Sequence, residues 1–127
     1  SEIYRAVEAL EGVADSLVVD LEYLGRPSEL VLFVVPAPGV ALDEGLMAAI
    51  RARIRADVSP RFLPDTVVAV PEVPRTLSGK KLEVPVRRLL LGQDPARVVN
   101  RDSMANPASF DWYVAWARAR SDAGGPG

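Results

Sequence analysis

Residues 30–35, Leu-Val-Leu-Phe-Val-Val, form an unbroken apolar run, rich in β-branched side chains and closed by Pro36, Pro38 and Gly39. A short run bounded by turn residues in this way reads as a buried strand. Gly25, Pro27 and Ser28 supply turn chemistry just before it. Across that turn, Val13 to Tyr23 places Leu17, Val19, Leu21 and Tyr23 on one face, with Asp20 and Glu22 on the other. That alternation is a half-buried strand, so the two segments make a hairpin. Earlier still, Ser1 to Leu10 is helical in pattern, with Ile3, Val7 and Leu10 on one face. Downstream, Asp43 is a fitting N-cap for a helix in which Leu46, Ile50, Ile54 and Val58 recur every four residues, with Met47 beside them, before Pro60 stops it. Thr66 to Val70 is a further β-branched run, ended by Pro71, and is expected to join the same sheet. The order helix, strand, strand, helix, strand predicts an α+β fold, a small sheet covered by helices.

The rest of the chain predicts a helical extension. Val73 to Lys81 is polar and contains Pro74, Ser78 and Gly79, which reads as a surface loop. A short helix follows, with Pro85 in its first turn and Val86, Leu89 and Leu90 as its stripe, ending at Gly92. Asn106-Pro107 has the form of an N-cap followed by proline at the first helical position, opening a helix whose Phe110, Tyr113, Val114 and Ala117 share a face. Phe110, Trp112, Tyr113 and Trp116 read as packing residues. The expected organisation is one domain over residues 1–120 and a flexible tail over 121–127.

Composition removes whole classes of chemistry. There is no cysteine and no histidine among the 127 residues. Disulfides, thiol nucleophiles, Ser-His-Asp hydrolysis and zinc-dependent mechanisms therefore fall together. With 15 basic and 17 acidic residues the net charge is −2, which offers no general attraction to nucleic acid or anionic lipid. No apolar run approaches the ~20 residues that span a bilayer, so a cytoplasmic protein without nucleic-acid or membrane partners is expected.

The stretch that carries chemistry is Pro74-Arg75-Thr76-Leu77-Ser78-Gly79-Lys80-Lys81, which offers a flexible cation next to glycine just before a helix. An ammonium group there can offset negative charge where an anionic nucleophile meets a phosphate. It is not a P-loop, because the first glycine of that motif is absent and Lys81 stands where serine or threonine belongs. Taken alone, the stretch also fits an ordinary solvated loop.

The same residues resemble the final signature of adenylate-forming enzymes, a superfamily that includes acyl-CoA synthetases, in which a Pro-x-Thr-x-x-Gly-Lys loop carries a catalytic lysine. Ser1-Glu2-Ile3 is similar to the end of the signature that follows the interdomain hinge, although Tyr4 stands where a glutamate is common. Gly79 to Gly92, GKKLEVPVRRLLLG, followed by Val99 to Tyr113, VNRDSMANPASFDWY, resembles acetoacetyl-CoA synthetases in particular. The resemblance covers the chain up to its tail.

What it implies is the mobile C-terminal domain of an AMP-forming acyl-CoA ligase, with the hinge and a large N-terminal domain expected before Ser1 as its partner in cis. Lys80 would be the adenylation lysine, supported by Thr76, Ser78 and Gly79. Arg55, counted back from Lys80, falls where acetyl-CoA synthetases carry an arginine that contacts the CoA phosphate. Arg51 and Arg55 equally fit a solvated helix face. ATP, CoA and Mg2+ would serve the complete enzyme, with no metal ligand expected in this chain and no tight binding or activity in this piece alone. Lys80 is also the expected modification site for a protein lysine acetyltransferase. The alternative from another class is a free-standing, non-catalytic interaction or regulatory module of the same fold.

Overall fold

The computed structural model describes residues 1–23 and 25–124. They divide into two compact units, Ser1–Val73 and Pro74 onward, where the sequence suggested one.

The first unit holds α1 (Glu2–Glu8), β1 (Val13–Leu21), β2 (Glu29–Pro36), α2 (Glu44–Asp57) and β3 (Thr66–Ala69). The sheet order is β1-β2-β3, so β2 is central, antiparallel to β1 and parallel to β3 through a crossover that contains α2. Central placement explains the continuous apolar run, because a strand paired on both edges and covered on both faces has no position to spare for water. Val31, Leu32, Phe33 and Val34 are all fully buried. Leu17 faces Phe33 and Val19 faces Val31 across the hairpin. Leu17, Val19 and Leu21 are buried on one face and Asp20 is exposed, but the opposite face is covered as well over most of the strand, where the sequence suggested a half-buried one: Ser16 is fully buried and Val13 and Val18 belong to the core on that side. The strand stops at Leu21, short of the expected end at Tyr23. Tyr23 instead lies beneath the Arg26 guanidinium at 3.8 Å and donates its hydroxyl to Glu29 at 3.1 Å, contacts made outside the strand.

One face of this sheet carries the core formed by Ile3, Val7, Val13, Leu32, Val34, Ile50 and Ile54, with Leu10, Leu46 and Val58 packed on it. The helical stripes of α1 and α2 thus meet the same sheet face. Asp43 accepts a hydrogen bond from the Leu46 N–H at 2.8 Å, the N-cap geometry expected of it. Tyr4 does more than pack. Its hydroxyl accepts from the Val18 N–H at 3.1 Å, and Glu8 accepts from the buried Ser16 hydroxyl at 2.6 Å, so α1 also occupies hydrogen-bonding groups of β1. Such cover blunts the pairing potential of an edge strand. At the other end of the crossover, Asp65 grips Leu30 with its N–H donating to Leu30 O at 2.8 Å and its carboxylate accepting from Leu30 N at 2.7 Å.

The second unit contains α3 (Glu83–Leu90), α4 (Pro95–Val98) and α5 (Phe110–Gly124), with α3 packed against α4 and α5. Pro85 sits in the first turn of α3, Val86 and Leu89 are buried, and Gly92 takes up a positive φ just past the helix. Phe110 and Tyr113 are fully buried on α5, whereas Trp112 and Trp116 are half-buried and stack with centroids 6.1 Å apart. Two expectations need correction. The helix α5 runs on through Ser121 to Gly124, because nothing in that stretch breaks it before the glycines; residues 125–127 lie outside the described ones. Asn106 does not cap with its side chain: α5 is entered through a single 3-10 turn, Pro107–Ser109, in which the Ser109 N–H and hydroxyl both donate to the Asn106 carbonyl. No helix among the described residues is long and apolar enough to cross a membrane.

Candidate functional site

The surface loop expected over residues 73–81 is ordered as a tight hairpin, exposed from Leu77 to Lys80. Val73 and Pro74 are buried. From there Arg75 pairs with Lys81 in an antiparallel bridge, Leu82 N donates to Pro74 O at 3.0 Å, and Thr76 N donates to Lys80 O at 2.9 Å. Between the paired ends, Leu77, Ser78 and Gly79 form the loop, closed by Gly79 N donating to Thr76 O at 2.9 Å. Gly79 has φ +91°, the left-handed conformation that a three-residue hairpin loop asks of its last residue.

Side chains reinforce this frame. The Thr76 hydroxyl accepts from the Lys80 N–H at 3.0 Å and lies 3.0 Å from the Ser78 hydroxyl, while the Arg75 guanidinium donates to Gly79 O at 2.7 Å. Thr76, Ser78, Gly79 and Lys80 are therefore brought together as one unit, with the lysine backbone held on both its N–H and its carbonyl. Lys80 is exposed, and its ammonium makes no ion pair with a described residue. Leu77, at the tip, is 71% exposed, so the turn projects instead of folding back on its own unit.

A second layer was not legible in the sequence. The strand Arg75–Thr76 is also paired on its other side: Thr76 bridges Met104, Leu77 N donates to Ser103 O at 3.1 Å, and Ala105 N donates to Arg75 O at 3.0 Å. Asn106 completes the pairing, its side-chain oxygen accepting from the Arg75 N–H at 2.9 Å. Arg101 fastens this segment to the start of α5, donating to Pro107 O at 3.1 Å and to Asp111 at 2.7 Å. Partners some thirty residues apart leave no periodicity to find, and Asn106-Pro107 imitates a helix cap.

Arg55 lies elsewhere, in the last turn of α2 in the first unit. The two arginines that shared a helix face part company here. Arg51 donates to Pro64 O at 2.9 Å and so serves the crossover. Arg55 is exposed and makes no hydrogen bond or ion pair with a described residue, leaving a planar fork of donors suited to a phosphate. The net charge also conceals an asymmetry: residues 74–127 carry nine basic against five acidic side chains, residues 1–73 six against twelve. The hairpin that presents Lys80 therefore belongs to the positively charged part of the chain, which favours anions locally. Among the described residues no group of three acidic side chains converges to hold a metal ion.

Residues 2–80 match the model of the AMP-binding enzyme C-terminal domain. The chain belongs to that family. The match ends at Lys80, on the hairpin, but likeness to known proteins continues past it. An acetoacetyl-CoA synthetase of Caenorhabditis elegans is 38% identical over 91% of the chain, and the structure of an acetoacetyl-CoA synthetase from Streptomyces lividans is 44% identical over 94% of it with a TM-score of 0.87. An acyl-CoA synthetase of Brucella canis covers only 71%, at 26% identity and a TM-score of 0.57. The family domain thus carries an extension that it shares with acetoacetyl-CoA synthetases. The chain spans 16% of the Caenorhabditis protein and 18% of the Streptomyces one.

Proposed function

We propose that this family domain is the mobile C-terminal domain of an acetoacetyl-CoA synthetase, and that it delivers Lys80 to the adenylation step. In that reaction an acetoacetate carboxylate oxygen attacks the α-phosphorus of ATP, the bond to diphosphate breaks, and acetoacetyl-adenylate forms. CoA sulfur then attacks the acyl carbonyl and AMP leaves. The observation that carries the reading is the exposed ammonium of Lys80, which makes no ion pair with a described residue, on a hairpin whose backbone is hydrogen-bonded on both sides. A cation brought on a braced backbone to where negative charges must approach one another would stabilise the transition state. Thr76, Ser78 and Gly79 supply the frame, and Arg55 would meet a CoA phosphate in the second step. Serving two successive steps with different residues would require the domain to move relative to its large partner, as domain closures that assemble a site do. Magnesium would offset phosphate charge; among the described residues no acidic cluster converges to hold it.

The test is Lys80→Ala in the complete enzyme, with the half-reactions followed separately. Adenylation should fall by about 10²- to 10³-fold, the cost of removing one preorganised electrostatic group, while thioester formation from supplied acetoacetyl-adenylate persists. Equal loss in both steps would reduce the hairpin to a structural feature.

The same exposure makes Lys80 the acceptor for a protein lysine acetyltransferase in this reading. Acetylation replaces the ammonium by a neutral amide and so deletes the charge that adenylation uses. Lys81, the neighbouring competitor, is half-buried and its backbone is paired with Arg75.

A further inference from the structure

We infer that Asn106 is a positioning residue for Lys80, acting through Arg75, an inference that rests on the adenylation role proposed for that lysine. The hairpin that carries Lys80 is the outer part of a three-stranded ribbon whose middle strand is Arg75–Thr76. On one side of the middle strand lies the lysine strand; on the other lies Ser103–Ala105. The middle strand and Leu77, the loop residue that follows it, have three backbone donors, and each has a different partner. Thr76 N goes to Lys80 O, Leu77 N to Ser103 O, and Arg75 N to the Asn106 side chain. The first two are backbone pairings that any residue could make. The third depends on a side chain of the right length with an acceptor at its end.

Asn106 also has a second attachment. Its carbonyl accepts from both the N–H and the hydroxyl of Ser109, so its backbone is tied to the 3-10 turn that opens α5. One residue thereby links the frame of the long helix to the strand that aims the lysine. Arg75 passes the constraint on, because its guanidinium donates to Gly79 O at 2.7 Å, immediately before Lys80. Without the Asn106 acceptor, the Arg75 N–H loses its partner and the ribbon is free to twist about its remaining bonds. The ammonium sits at the end of a long side chain, so a small rotation at Arg75 moves it far. Misplacement of a reacting group by about 1 Å can cost about 100-fold in rate.

The experiment uses the complete enzyme and four variants: Asn106→Leu, near-isosteric without the acceptor; Asn106→Asp, which keeps an acceptor; Lys80→Ala; and the double variant Lys80→Ala with Asn106→Leu. Adenylation is read as diphosphate release, and the second step as thioester formed from supplied acetoacetyl-adenylate. Asn106→Leu should slow adenylation by about 10- to 100-fold with the second step unchanged. Asn106→Asp should restore the rate to within about three-fold of the parent, since a charged acceptor still satisfies the N–H. In the Lys80→Ala background the leucine substitution should cost nothing further, because there is no ammonium left to aim. Should Asn106→Leu fail to fold, Asn106→Gln displaces the same amide by one methylene and should give a milder form of the same selective loss. Equal slowing of both steps, an unchanged adenylation rate, or a full additional loss in the double variant would overturn the inference. A Lys80→Ala enzyme that adenylates normally would instead bring down the lysine reading itself.

Discussion

Gly79 allows a prediction in which strain can be separated from crowding. Its φ is +91°, and a Cβ built on it meets no atom within 4 Å. Gly79→Ala therefore adds no clash, and its whole cost is the left-handed backbone of an L-residue, about 1–2 kcal/mol. If the hairpin relaxes to relieve that strain, the population holding Lys80 in its present geometry falls by about 5- to 30-fold, and adenylation falls with it. The structure provides a matched control. Gly39 has φ +78°, again with nothing within 4 Å of a built Cβ, in a turn closed by Val40 N donating to Ala37 O at 2.9 Å. Gly39→Ala should carry the same strain of about 1–2 kcal/mol with no connection to the lysine. Urea unfolding of this chain should show similar losses for both substitutions, while diphosphate release by the complete enzyme should fall only for Gly79→Ala. Gly79→Asn should lie between parent and alanine, because asparagine tolerates the left-handed region better. If Gly39→Ala slowed adenylation as much, general destabilisation would account for the effect. If Gly79→Ala lost stability yet adenylated normally, the hairpin would have no part in aiming Lys80.

The two arginines of α2 should separate in function as they do in space. Arg55→Ala should raise the apparent KM for CoA and leave adenylation intact, whereas Arg51→Ala, which removes the bond to Pro64 O, should cost about 0.5–1.5 kcal/mol of stability and leave CoA kinetics alone. Removal of the cap in Asp43→Ala should cost about 1 kcal/mol in denaturant unfolding with no change in either half-reaction. Incubated with a protein lysine acetyltransferase and acetyl-CoA, the chain should carry its label at Lys80 by peptide mass spectrometry; label at Lys81, or undiminished label on Lys80→Arg, refutes the assignment. Supplied with ATP, magnesium, acetoacetate and CoA, this chain alone should form no acetoacetyl-CoA, because one cationic hairpin cannot also position the acid and the nucleotide.

Local pattern accounts for most of the first unit. The apolar run at residues 30–35 needs a fully buried strand, the alternation before it needs a second strand, and the four-residue recurrence after Asp43 needs a helix, so the elements and their type follow from periodicity and turn chemistry, although the cover on the second face of β1 does not. The grouping of Thr76, Gly79 and an exposed Lys80 was legible for a different reason: they lie close in sequence, and a short hairpin uses them in sequence order. Composition also settled what the chain cannot do, since a chain without cysteine or histidine has no thiol or imidazole to offer anywhere in its fold. Tertiary structure decided the rest. Arg51 and Arg55 share a helix face, and only the placement of Pro64 commits the first to the crossover and leaves the second exposed. Asn106 looks like a helix cap until the ribbon brings Arg75 within hydrogen-bonding distance of it, from 31 residues away. Periodicity reports which face of an element is apolar, because that depends on neighbours within a turn or two. It carries no information about which polar side chain meets which distant backbone group, because that depends on how the chain closes on itself, and the frame around Lys80 is made of such meetings.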